Sequence, residues 1–292
     1  MKVKESISRR LFCKLNIILM IGMMVITIYP LLHVLFASFS DSSALLRHRG
    51  LLLHPIGFNW NAYKMVLSNP NITSGYMTTI FVVVCGTIIN LFMTSIGAFV
   101  LSRRKLRGKN ILMAVIVLTM YVSGGMIPRY LIIANTLHLG DSLLSLILPG
   151  AISTYNLIIM RTNFMQIPQS LEEAAKIDGA NDIAILFKVI LPLSVPVLAV
   201  MTLFYGVSHW NAWFDAMLFL RDRSKYPLQL IMREILISNS TSSMSGASGG
   251  AYEIGESIKY ATIIFTTVPI LLIYPFIQRY FVKGIMIGAI KG

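Results

Sequence analysis

Apolar positions along this chain fall in long blocks, without the strict alternation that marks half-buried strands. Blocks long enough to cross a hydrocarbon core of about 30 Å run over 15–39, 76–102, 111–133, 142–160, 189–220 and 260–282. A helix satisfies its backbone groups within its own segment. The pattern therefore predicts an all-α, polytopic membrane protein with six transmembrane helices. The fifth block is longer than one upright helix needs. It predicts a single span whose outer part, from about His209 to Phe219, tilts, bends or lies at the interface.

Basic residues cluster on one side of these blocks. Lys2, Lys4, Arg9, Arg10 and Lys14 precede the first, and Arg103, Arg104, Lys105, Arg107 and Lys109 separate the second from the third. Both segments are expected in the cytoplasm, together with the connection between the fourth and fifth spans and the C-terminus. The first span has a longer apolar run than a signal peptide and no clean small-x-small site after it, so it reads as a retained helix.

Composition agrees with this layout. The 292 residues are 55% hydrophobic and 13% charged, with a mean hydropathy of +0.72, which excludes an enzyme with its own soluble catalytic domain. The net charge of +13 follows from the basic loops and does not call for nucleic acid. Cys13 and Cys85 support neither a disulfide framework nor a cysteine metal site. His33, His48, His54, His138 and His209 show no ligand spacing, so no metal is expected. Inside the spans, charges occur only near the ends, at Arg129, Arg161, Asp215 and Arg279. An ion-coupled carrier acting alone needs buried carboxylates or histidines, so energy is expected to enter from outside this chain.

The connection between the fourth and fifth spans is the candidate for that entry. Ser170 and Glu173 have capping-box spacing, which predicts a helix from Leu171, with Gly179 at its left-handed stop. Asn181 or Asp182 then caps a second helix. Its apolar stripe Ile183, Leu186, Phe187 and Ile190 leads into Leu191-Pro192 and the fifth span. Ala174 and Ala175 permit close approach of another surface, and Glu172 and Glu173 offer it carboxylates. On spacing alone, an ordinary capped amphipathic loop helix fits equally.

Glu173-Ala174-Ala175, then Gly179, Val189 and Leu191-Pro192, resembles the EAA signature of permease subunits in binding-protein-dependent ABC importers, with Val189 in place of the usual isoleucine. Gly124-Gly125-Met126-Ile127-Pro128, Ile147-Leu148-Pro149, Leu191-Pro192-Leu193-Ser194, His209-Trp210-Asn211 and the tail 283–292 resemble the carbohydrate-uptake branch, relatives of the smaller maltose-importer permease. Pro227-Leu228-Gln229-Leu230 and Ile287-Gly288-Ala289 are most similar to permeases for complex oligosaccharides.

The resemblance implies a type I ABC importer permease fold in a bacterial cell membrane, with an N-terminal tail, first helix and external loop over 1–75. It also implies a transmembrane core over 76–282 carrying a coupling hairpin at 168–188, and a cytoplasmic tail over 283–292. It implies an ATP-binding ABC subunit, a second homologous permease and an extracytoplasmic solute-binding protein as partners. Membrane lipid is the surrounding solvent. No cofactor is expected on this chain: it has no G-x-x-x-x-G-K-[ST] loop, and ATP belongs to the partner subunit. Glu172, Glu173, Ala174, Ala175, Asp178, Gly179, Leu191 and Pro192 are the implied ATPase-coupling residues. A non-sugar solute is the alternative cargo.

For the substrate path, His209, Trp210, Asn211 and Trp213 are the candidates. Their rings suit stacking on sugar faces, and equally an interfacial aromatic belt. The small, polar stretch 238–257 reads as a linker or a docking loop. The first outer loop, 40–75, is a second docking candidate, whose Trp60 and Tyr63 also fit the interface. Gly284 and Gly288 have G-x-x-x-G spacing but lie beyond the sixth span, which favours a compact tail over helix dimerisation.

Overall fold

The computed structural model describes residues 7–103, 106–244, 256–273 and 275. The tail 283–292 with Gly284 and Gly288, the end of the sixth predicted span and the linker residues 245–255 lie outside them. Three helices are long and apolar enough to cross a membrane unbroken: α1 (Ile7–Ser38), α4 (Pro70–Ser102) and α15 (Glu256–Ile273). Three further candidate spans are bent pairs. The first joins α5 (Lys109–Tyr121) to α6 (Met126–Tyr130) and the π-turn after it, at 111°. The second joins α7 (Leu144–Ile147) and a 3-10 turn to α8 (Thr154–Met165), at 50°. The third is described below. Among the described residues there is no strand.

The described residues divide into two compact units. One holds the chain as far as Asn69 together with Met232–Thr267. Its α1 carries apolar side chains that no other described residue covers, Phe12, Ile18 and Ile26 among them. Asp41 caps α2 (Ser42–Arg47), its Oδ1 accepting the N–H groups of Ser43 and Ala44. The short α3 (Asn61–Ser68) buries Tyr63, whose hydroxyl lies 2.8 Å from that of Ser38 and whose ring stacks on Phe39. Trp60 meets the same Phe39 edge-on and is half exposed. Trp60 and Tyr63 thus both help to fold this loop.

The second unit, Pro70–Ile231 and the segment from Val268, is organised around α4. After α8 come α9 (Gln169–Ile177) and α10 (Asp182–Ile185), then a π-turn over Leu186–Ile190 and a single turn, α11 (Leu191–Leu193). Pro192 has no N–H to donate, so the preceding turn widens: Leu191 N–H bonds the carbonyl of Leu186, five residues back. At Ser194 the chain bends by 87° into α12 (Val195–Asn211). It breaks again at Ala212-Trp213 before α13 (Phe214–Phe219), so the long fifth block is not one helix. Finally α14 (Leu228–Met244) begins here and runs through the first seven residues of the predicted linker.

α4 packs along α8 and α12. Its glycines at 75, 86 and 97 recur every 11 residues, which keeps them on one stripe. A Cβ at Gly86 would lie 2.5 Å from the ring of His209, and one at Gly75 would lie 2.5 Å from Ile231. Between membrane helices, packing replaces the hydrophobic drive, and small residues let neighbours come this close. The main core joins Phe99 and Leu101 of α4, Met160 and Phe164 of α8, Ile185, Leu186 and Ile190 from the second half of the hairpin and the turn after it, and Met201 of α12. This core sits where the hairpin meets the spans.

Candidate functional site

The hairpin departs from its predicted start. α9 begins at Gln169, capped by Pro168, and the Ser170–Glu173 box does not form. Pro168 has an extended ψ of 130° and carries no N–H to orphan, so the helix can begin directly after it. Its end matches expectation. Gly179 has φ +82°, its N–H bonds Lys176 O, and Ala180 N–H bonds Ala175 O, the paired 5→2 and 6→1 bonds of a Schellman stop. Asn181 caps the next helix, accepting Ala184 N–H at 2.7 Å. Lys176 and Asp182, 3.3 Å apart, close the bend.

The two faces of α9 differ. Glu172 forms an ion pair with Arg103 at the end of α4. Arg103 also lies 4.4 Å over the Phe99 ring, and its Nε donates to the carbonyl of Phe99. Ala175 and Ala180 pack against the core. Glu173, Ala174, Asp178 and Gly179 are exposed, and Ile177 and Ile183 are 87% and 70% exposed although both are apolar. The adjacent carboxylates and the adjacent alanines therefore point to opposite sides, one of each pair inward. The apolar stripe is also shifted. Ile185, Leu186 and Ile190 are buried, while Ile183 and Phe187 are exposed; over Leu186–Ile190 the π-turn changes the angular step along the helix. Leu191 and Pro192 stand at the entry to the 87° bend, where the hydroxyl of Ser194 is buried with no hydrogen-bond partner among the described residues.

Midway along α4, away from the hairpin, two polar braces tie the bent spans together. His209 Nε2 and Asn90 Oδ1 are 2.6 Å apart, and Asn90 Nδ2 donates to Gly150 O at 2.6 Å, at the break between α7 and α8. One turn nearer the hairpin, the Tyr205 hydroxyl meets Thr94 at 2.7 Å and accepts the N–H of Ser153 at 3.1 Å, on the far side of that break. Buried polar groups in an apolar surround are stable only when paired. Here the pairing grips the backbone where the helix is interrupted. Sequence reasoning missed Asn90, Thr94 and Tyr205; a lone Asn in an otherwise apolar block was the available signal.

Of the substrate-path candidates, His209 is occupied by this brace, and Trp210 is buried with its ring edge-on to Tyr76. Asn211 is exposed and donates back to Val207 O. Trp213 is half-buried against the cluster of Val82, Ile147 and Ala216. At the end away from the hairpin, Arg129 of α6 and Asp215 of α13 form an ion pair at 2.7 Å. Beyond it Asp141 accepts the N–H groups of Arg221 and Asp222 and pairs with Lys225 at 2.8 Å.

The model of the binding-protein-dependent transport system inner membrane component family matches residues 93–287, most of the unit that holds the hairpin, the braces and the ion pair. The chain belongs to that family. It is 43% identical over 269 residues to the polygalacturonan/rhamnogalacturonan transport system permease protein YtcP of Bacillus subtilis, covering 91% of this chain and 93% of that one. It is 40% identical over 284 residues to protein LplC of the same organism, covering 97% and 96%. Among solved structures, a bacterial ABC transporter involved in the import of the acidic polysaccharide alginate contains a chain with TM-score 0.87 and 33% identity, covering 96% of this chain and all of that one.

The chain is accordingly the permease subunit of a binding-protein-dependent ABC importer, with a type I permease fold. It is a transport subunit and not an ATPase. It works with an ATP-binding subunit, a second permease and a solute-binding protein. The likeness read from the EAA residues extends over nearly the whole chain.

Proposed function

We propose that this permease carries acidic oligosaccharides across the bacterial cell membrane, with both termini and the hairpin at 168–188 on the cytoplasmic side. The observation that carries the coupling half of this reading is the exposed face of Glu173, Ala174, Ile177, Asp178, Gly179 and Ile183. An apolar patch ringed by charge, at the tip of a bend fixed by a Schellman stop, suits docking into a groove of the ATPase. Glu172, Ala175, Leu191 and Pro192 hold the hairpin against the core and carry its movement to the bend at Ser194. ATP is bound by the partner, and this chain needs no cofactor. Residues 76–282 form the transport core, with 1–75 and 283–292 appended to it.

The cargo half rests on relatives. Two that share a third or more of their residues with this chain are named for polygalacturonan/rhamnogalacturonan and for alginate, and galacturonan and alginate are polyuronates. Asn211 and Trp213 remain the sugar-facing candidates beside the break at Ala212, with His209 and Trp210 setting their position from behind. The test is uptake of trigalacturonate by the assembled importer. Wild type is expected to import it, and Glu173→Lys and Gly179→Asp to abolish uptake with membrane insertion unchanged. Undiminished uptake by both variants would refute the coupling assignment.

A further inference from the structure

The ion pair of Arg129 with Asp215 stands where two cavities meet. Arg129 lines one of about 890 Å³ with Ser123, Gly125, Pro128, Leu148 and Phe214. Asp215 lines another of about 700 Å³ with Ser153, Tyr155, Asn156 and Ser208. Both cavities open beside the interruptions of bent spans. The pair itself is accessible, the side chains being 43% and 28% exposed.

The contact is single. Only Arg129 Nη2 reaches Asp215 Oδ2, at 2.7 Å, while a guanidinium offers five N–H donors in a planar fork matched to a carboxylate. The guanidinium is also positioned in advance. It lies 6.0 Å from the centre of the Phe219 ring, and that ring stacks on Tyr130, the next residue in the chain. A staple between α6 and α13 would be best served by a bidentate, covered pair. A one-point, solvent-facing pair leaves most of the arginine open to a second acid.

We infer that Arg129 is the carboxylate-binding residue of the translocation path, with Asp215 holding its place until the uronate group of a passing sugar displaces it. This rests on the cargo reading above. It adds to it a site, a ligand group and a mechanism of exchange. Because Asp215 neutralises the arginine when no cargo is present, small inorganic anions gain little by entering. A sugar acid gains the arginine and the polar wall of the second cavity together.

The test uses the full importer with its binding protein and measures uptake of trigalacturonate against its methyl ester, a neutral probe of nearly the same shape. Because the binding protein is common to all variants, a change in the acid-to-ester ratio belongs to the permease. Arg129→Gln is expected to raise the apparent KM for the acid about tenfold or more, the usual loss for a hydrogen bond to a charged group, and to raise that for the ester far less. Arg129→Lys should restore part of the preference, and Asp215→Asn should strengthen it. Equal loss of both probes in Arg129→Gln would overturn the inference in favour of a purely structural staple, leaving the cargo reading intact. Import of neither probe by wild type would overturn the cargo reading, and this inference with it.

Discussion

Asp141 shows how much one residue can hold at the end of the bundle away from the hairpin. Its φ of +55° is a conformation that aspartate tolerates better than most residues, and it aims the carboxylate at the chain beyond α13. The N–H of Asp222, then the Lys225 ammonium and the N–H of Arg221, hold this carboxyl well below the usual carboxylate range. For a group whose folded pKa is depressed, the contribution to order is complete above its ordinary pKa of about 3.9 and fades as pH falls toward the lower folded value. Asp141→Asn keeps the shape and removes the charge. Hydrogen exchange at Arg221 and Asp222 is expected to be faster in this variant at neutral pH. The protection of wild type, relative to the intrinsic exchange rate at each pH, should fall to that of the variant only on acidification below the carboxylate range. Equal protection at neutral pH would show that the charge contributes nothing.

Among the elements, the braces through Asn90 and Tyr205 tie α4 and α12 to the break between α7 and α8. Losing Asn90 leaves a buried histidine and the Gly150 carbonyl unpaired, at a cost of about 1–3 kcal/mol for each group. Gly86→Ala pushes on the same histidine from one turn earlier in α4, since its Cβ would fall 2.5 Å from Nε2. Asn90→Leu and Gly86→Ala are both expected to lower the melting temperature of the detergent-solubilised protein and to slow transport. The two effects should be less than additive, because both variants act on one contact. Simple additivity in a double-mutant cycle would mean that they act separately.

At the scale of the whole molecule, much was legible in the sequence. The apolar blocks, the Gly179 stop and the Asn181 cap each rest on a local rule: the described residues hold three unbroken apolar helices and three bent pairs, and the stop and the cap form as expected. Directions were not legible. Hydropathy counts apolar residues without registering where the axis turns, so the 111°, 50° and 87° bends stayed hidden inside blocks that read as continuous. Their signals were present as Gly124-Gly125, Pro149-Gly150 and the Pro192, Pro196 pair. The inward pairing of Glu172 was hidden for a different reason. Its partner Arg103 lies 69 positions earlier in the chain, and only the packing of α8 on α4 brings them together.

Because Glu172 answers to an arginine of its own polypeptide while the outward Glu173 is, in the coupling proposed above, met by the ATPase, neighbouring codons should yield to different genetics. Charge reversal at 172 should be repaired within this gene, foremost by Arg103→Glu opposite Glu172→Arg. Reversal at 173 should be repaired only by changes in the gene for the ATPase. A suppressor screen on the two lesions would draw the boundary of the assembly through a single peptide bond.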